Sequence, residues 1–140
     1  MDLDAALAFA GEHRNGVLTT IKQDGRPQLS NITYHLGADG VFRISVTATR
    51  AKYRNMLRDP RISLHVARAD FWAYAVFEGD ADLAPVAATV DDPTVDELVE
   101  LYRSVGGEHP DWNEYRAAMV ADQRLVVRLR PTRAYGMLPD

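Results

Sequence analysis

The 140-residue chain has no cysteine. Disulfide scaffolding, thiolate nucleophiles and sulfur-ligated zinc or iron–sulfur centres are therefore excluded. Long apolar runs are missing too, and none approaches the ~18–20 residues that a membrane-crossing helix requires. The opening Met1-Asp2-Leu3-Asp4 has neither the basic segment nor the apolar stretch of a secretory leader, so the expectation is a soluble, cytoplasmic protein. Lysine is scarce, occurring only at Lys22 and Lys52 while arginine is abundant, and the excess of acidic over basic residues gives a formal net charge of −4. That balance argues against general nucleic-acid or anionic-membrane partners, which call for a positive field. The sequence also lacks a Gly-x-Ser-x-Gly elbow, a P-loop and a Gly-x-Gly-x-x-Gly turn, which removes the commonest hydrolase, NTPase and Rossmann readings. His13, His35, His65 and His109 are never four apart, so a helical metal-binding pair is not expected. No repeat, low-complexity tract or linker interrupts the chain, whose length suits one domain over residues 1–140.

What is present alternates between two periodicities. Leu3, Ala6, Leu7 and Ala10 recur at helical spacing behind Asp2, a residue suited to an N-cap, and Gly11 marks the stop. From Gly16 β-branched residues take over. Gln23-Asp24-Gly25 reads as a hairpin turn between strands over 16–21 and 28–34, and Gly37-Ala38-Asp39-Gly40 as a second turn before a strand over 41–47. Thr49 is placed to cap a helix over 50–57, which Asp59-Pro60 closes. Ile62, Leu64 and Val66 alternate on a fourth strand, and residues 72–83 read as a longer fifth. Asp92-Pro93 opens a helix with a Val95, Leu98, Val99, Tyr102 stripe that ends at Gly106-Gly107. Asp111 opens another helix with Trp112, Tyr115 and Met119 facing inward, and residues 125–129 and 133–137 read as closing strands. The class is α+β, mainly β, and short strands interrupted by helices favour a small antiparallel barrel over a doubly wound sheet.

One segment stands out chemically. Between Thr47 and Arg58, the side chains of Arg50, Lys52, Arg54 and Arg58 cluster at a strand-to-helix junction of an otherwise acidic protein. Backbone N–H groups at a helix N-terminus favour an anion, Arg50 offers a bidentate fork and Lys52 a point charge. The bland alternative is a solvated basic helix face, which Arg54 and Arg58, four apart, fit as a surface stripe. Gln28, Ser30 and Asn31 on the second strand could hydrogen-bond the edge of an aromatic heterocycle, while Trp72 and Tyr74, with Ala73 and Ala75, could cover its face. Ordinary packing in a core or a dimer interface is the alternative for those aromatics.

Taken together, Gly16–Asn31, Arg50–Asn55, Asp59-Pro60-Arg61 and Trp72–Gly79 resemble the pyridoxamine 5′-phosphate oxidase-like split β-barrel family. Across nearly the whole chain, including Gly107–Arg116, the likeness is to its actinobacterial flavin/deazaflavin oxidoreductase branch that uses coenzyme F-420. The resemblance implies a six-stranded antiparallel split barrel with peripheral helices, and a homodimer with cofactor sites at the interface. It implies a cofactor phosphate near Arg50, Ala51 and Lys52, with Asn55 on the same helix also in contact. The ring pocket would be lined by Gln28, Ser30, Asn31, Ser45 and Val46, and Trp72, Ala73, Tyr74 and Ala75 would approach from the partner subunit. The implied chemistry is reversible hydride transfer from C5 of the reduced deazaflavin to a quinone-, coumarin- or biliverdin-like acceptor. The hydride is then carried by the cofactor, and Tyr74 and Tyr34 are weak proton-donor candidates. The ending Arg133–Asp140 departs from the basic segment that grips substrate in pyridoxamine phosphate oxidation. An FMN-dependent oxidase or reductase and a non-catalytic F-420 carrier are the alternatives.

Overall fold

The sheet is antiparallel throughout and turns back on itself around one bent segment of chain. The computed structural model describes residues 1–140. In chain order these form α1 (Leu3–Ala10), β1 (Asn15–Ile21), β2 (Pro27–Thr33), β3 (His35–Leu36), β4 (Phe42–Thr47) and α2 (Ala51–Arg58). There follow β5 (Arg61–Ala67), β6 (Tyr74–Leu83), α3 (Pro93–Gly106), α4 (Trp112–Ala121), β7 (Arg124–Leu129) and β8 (Arg133–Met137). The strand order is β2-β1-β5-β6-β7-β4-β3, with β8 added on β6. β6 is long enough to serve both halves: Tyr74–Glu78 pair with β8 and Ala81–Leu83 with β7.

Only Tyr34 separates β2 from β3, yet the two strands pair at opposite ends of the sheet, β2 with β1 and β3 with Phe42 and Arg43 of β4. The barrel is thus closed at Tyr34 and split below it, where no strand pairs with Ile44–Thr47 on that edge of β4. Tyr34 is anchored at the bend by Arg14, whose carbonyl accepts from its N–H at 2.8 Å, and by Ala10, whose carbonyl accepts from its hydroxyl at 2.7 Å. The architecture is the α+β split barrel expected, with eight strand segments instead of six. The strand over 133–137 read from the sequence is β8, seated on β6, and the segment not anticipated is the two-residue β3, created by the bend.

Period-two alternation fills the barrel. Leu18, Leu64, Phe77, Ile44, Val46, Leu125 and Val127 point inward with Phe42, and α1 seals one end with Ala6, Phe9 and Ala10. Val126, on the other face of β7, belongs to a second cluster with Val95, Leu98, Leu101 and Met119, which docks the α3–α4 pair. The side chains of Asp2, Asp92 and Asp111 accept from the N–H groups of Ala5, Val95 and Glu114, the caps read from the sequence. Two local expectations fail. Thr49 does not cap α2; the N-cap is Arg50, whose side chain makes no capping bond. Trp72 is not in a strand, because residues 68–73 form a turn in which Phe71 adopts φ 64 and β6 begins at Tyr74. No helix is long and apolar enough to cross a membrane.

Candidate functional site

The split is a cleft of about 600 Å³, within the range of small-molecule sites. One wall is β2, with Gln28, Ser30 and Asn31 followed by Ile32 and Thr33. The other is Ser45, Val46 and Thr47 of β4, and the floor is Arg50, Ala51 and Lys52 at the start of α2 with Arg124 at the start of β7. Alternation decides what each strand offers. Ser45 and Thr47 face the cleft, whereas Val46 is 1 % exposed and turns its side chain into the core, so its share of the wall is backbone.

Three cations meet there and no carboxylate lines the cleft. The Lys52 ammonium has its pKa lowered, first by burial and then by the charges of Arg50 and Arg124. Because Arg50 leaves the first turn of α2 without a side-chain cap, that turn presents unpaired N–H groups beside these charges. The combination suits a phosphate or carboxylate.

Of the residues singled out from the sequence, Gln28, Ser30, Asn31, Ser45, Val46, Arg50, Ala51 and Lys52 therefore share one cleft. Asn55 lies behind it. It is 6 % exposed, and its Nδ2 donates to Gln28 Oε1 at 2.8 Å and to Thr20 Oγ1 at 3.1 Å. It orients a wall residue instead of lining the wall. Arg58 is more than a surface stripe, since its Nη2 donates to Asn55 Oδ1 at 3.0 Å and to the Ile21 carbonyl at 3.1 Å.

Trp72, Ala73, Tyr74 and Ala75 do not reach the cleft of their own chain. Ala73 and Ala75 are fully buried in the core, so neither side chain can meet a ligand. Trp72 is 75 % exposed, and Tyr74 lies on the outer face of the sheet beside His65, ring centroids 5.6 Å apart. Tyr34 is also removed as a proton donor: it is buried, burial pushes its pKa up, and its hydroxyl is committed to Ala10. A second concavity of about 480 Å³ backs onto the cleft across Asn31–Thr33, lined by Asn15, Val17, His65, Ala67 and Phe71. It holds no lysine or arginine, so of these two concavities the split is the one with anion-binding character. No group of three His, Asp or Glu side chains is close enough to hold a metal ion.

Sequence reading missed Thr33, Thr47 and Arg124. For the threonines, alternation along strands already bracketed would have sufficed. Arg124 carries no local signal; it arrives through the β4–β7 register, opposite Thr47.

A split barrel with a cation-floored seam is the class that fold and cleft define. Residues 3–138 match the family described as pyridoxamine 5′-phosphate oxidase, and the chain belongs to that family. Among solved structures, a conserved hypothetical protein from Mycobacterium tuberculosis is 24 % identical with a TM-score of 0.74, covering 100 % of this chain and 90 % of that one. An F420 reductase is 25 % identical with a TM-score of 0.69, covering 91 % and 94 %. The heme storage protein of Vibrio cholerae is 16 % identical with a TM-score of 0.70, covering 98 % and 96 %.

Proposed function

We propose that the chain binds coenzyme F-420 in the split and serves as an oxidoreductase, passing a hydride between this deazaflavin and a conjugated acceptor of quinone, coumarin or biliverdin type. The observation that carries the reading is the meeting of Arg50, Lys52 and Arg124 with the uncapped start of α2, at the end of a cleft whose walls are amide and hydroxyl side chains. This donor set fits a flat heterocycle with a phosphorylated side chain. Lys52, Arg50 and the first N–H groups of α2 hold the phosphate, and Gln28, Ser30, Asn31 and Ser45 meet the ring edge. The bound coenzyme supplies the hydride, and the protein supplies orientation and electrostatics. The lining offers no carboxylic acid or imidazole, so we assign the proton to solvent or to a side chain outside it, with Tyr74 the candidate read from the sequence.

Among the structural relatives, the F420 reductase supports this reading. Heme, bound by another relative, fits less well: heme iron takes an axial His, Met, Cys or Tyr ligand, and none lines the cleft.

The functional unit we propose is a homodimer. Pairing registers place Asn31, Val17, His65, Val76 and Tyr135 in one row across the outer sheet face, with Leu29 two positions along β2 and Tyr74 and Met137 in the next row. Leu29, Tyr135 and Met137 are exposed there, next to the Phe71–Trp72 turn, as expected of an interface.

The test is a fluorescence titration of cofactor-free protein with F-420 and, in parallel, with FMN. Preferential binding of F-420 followed by acceptor-dependent oxidation of the reduced coenzyme supports the reductase. Tight F-420 binding without turnover makes the protein a carrier. Preference for FMN moves it to a flavin-dependent oxidase or reductase, and binding of neither overturns the reading.

A further inference from the structure

We infer that Arg124 is a ligand-binding residue of the split, taking a phosphoryl oxyanion of the cofactor side chain on the terminal nitrogens of its guanidinium. The inference deepens the cofactor reading and rests on it. Five arginines of the chain are half-buried: Arg43, Arg68, Arg116, Arg124 and Arg128. Four of them are paired with a carboxylate, Arg43 with Asp39 and Glu97, Arg68 with Asp70, Arg116 with Asp96, and Arg128 with Asp82 and Glu97. Arg124 alone has no acidic partner.

Its hydrogen bonding is correspondingly incomplete. Nη1 makes one long contact to Ser45 Oγ at 3.4 Å, and Nε is buried with no partner at all. A buried N–H of a charged group left unsatisfied is costly, and native proteins seldom tolerate one without a role for it. The side chain is nevertheless held in place. Gln123, just before it, adopts φ 53, an uncommon conformation for a non-glycine residue, and its carbonyl accepts from Ala48 N–H at 2.9 Å. That bond ties the start of β7 to the loop leading into α2, and so holds the backbone that carries Arg124 next to the helix that carries Lys52.

The geometry also separates the cations by task. Within the floor Arg50 is exposed, whereas Lys52 and Arg124 are half-buried. A guanidinium edge presents two parallel donors to two oxygens of one phosphate, a match that an ammonium cannot make.

The experiment compares wild type with Arg124→Gln and Arg124→Lys in titrations with F-420, FMN and inorganic phosphate, alongside thermal unfolding. Main-chain pairing with Thr47 and Ala87 is untouched by either change. Loss of a charge-assisted bidentate contact weakens affinity about ten- to a hundredfold in Arg124→Gln, with Arg124→Lys recovering part of it. Affinity unchanged in Arg124→Gln, while wild type binds F-420 or FMN, overturns the inference and leaves the cofactor reading standing. If wild type binds neither, the cofactor reading falls, and inorganic phosphate decides: a rise in unfolding temperature in wild type that Arg124→Gln lacks supports the anion role, and equal behaviour overturns it. Should Arg124→Gln fail to fold, wild-type affinity in Arg124→Lys overturns the bidentate contact.

Discussion

Asn55 Nδ2 donates to Gln28 Oε1 at 2.8 Å, so the helix that carries Lys52 and the strand that forms the opposite wall of the cleft are joined through one side chain. The second hydrogen of the same nitrogen goes to Thr20 Oγ1, which is fully buried. Asn55→Ala leaves both acceptors without this donor. The expected cost is about 2–3 kcal/mol of folding stability, measured by urea unfolding. Cofactor affinity falls as well, because Gln28 loses its orientation.

Lys52→Ala separates binding from folding. Removing a desolvated cation crowded by Arg50 and Arg124 relieves repulsion, so the unfolding temperature of the cofactor-free protein should not drop. Affinity for F-420 should fall by about tenfold or more, as one charge-assisted contact is lost. A titration and a melt on the same sample check both halves.

Affinity should depend on pH in a defined direction. Burial and its two cationic neighbours lower the Lys52 pKa below the ordinary lysine range, and an anion bound against it would raise that value. Binding therefore takes up protons, is strongest below the lowered pKa, and weakens as pH rises through the interval up to the bound-state value. For the free protein the sign is opposite: charging Lys52 opposes folding, and this penalty fades as pH rises from the lowered pKa towards 10.5. Titrations at a series of alkaline pH values, repeated with Lys52→Ala, should show the dependence shrink in the variant.

Gly136 tests how β8 is seated. It sits at φ +146 opposite Ala75, where an added Cβ would collide with the Tyr74 carbonyl and lie 2.9 Å from the Ala75 Cα. Gly136→Ala should destabilise by about 2–4 kcal/mol, combining backbone strain with overpacking. Hydrogen exchange should accelerate first in Arg133–Met137.

The outer sheet face gives the assembly prediction. Met137→Glu, at a position 60 % exposed, should leave the fold intact and shift sedimentation from dimer to monomer. A wild-type protein that sediments as a monomer at micromolar concentration would remove the dimer from the proposal.

Much of this was legible because it is local. The aspartate caps at Asp2, Asp92 and Asp111 act over three residues, and the turn at Gly37–Gly40 closes through a bond from Gly40 N–H to Gly37 carbonyl. The basic run Arg50–Arg58 is contiguous, so its charge and its helix could be read together. The family resemblance carried by Gly16–Asn31 and Arg50–Asn55 agrees with the family match. What escaped was non-local. Ser45 and Arg124 are 79 positions apart and meet only through sheet register. The bend at Tyr34 is fixed by Arg14 and Ala10, which no window around Tyr34 reveals. Trp72 looked like a strand residue because its aromatic neighbours favour strands, but the backbone of Phe71 turns the chain there first.

The open seam has a consequence for how such a protein can diverge. Along Ile44–Thr47 the β4 edge that faces β2 has no strand partner, so a flat ligand in the split lies against main chain that every sequence possesses. Recognition written in peptide groups survives exchange of side chains, while recognition written in Lys52 and Arg124 does not. The part of ring recognition that rests on this edge should then drift slowly among descendants of this chain, whereas the part carried by Gln28, Ser30, Asn31 and Ser45, like preference for what hangs from the ring, should change with single substitutions.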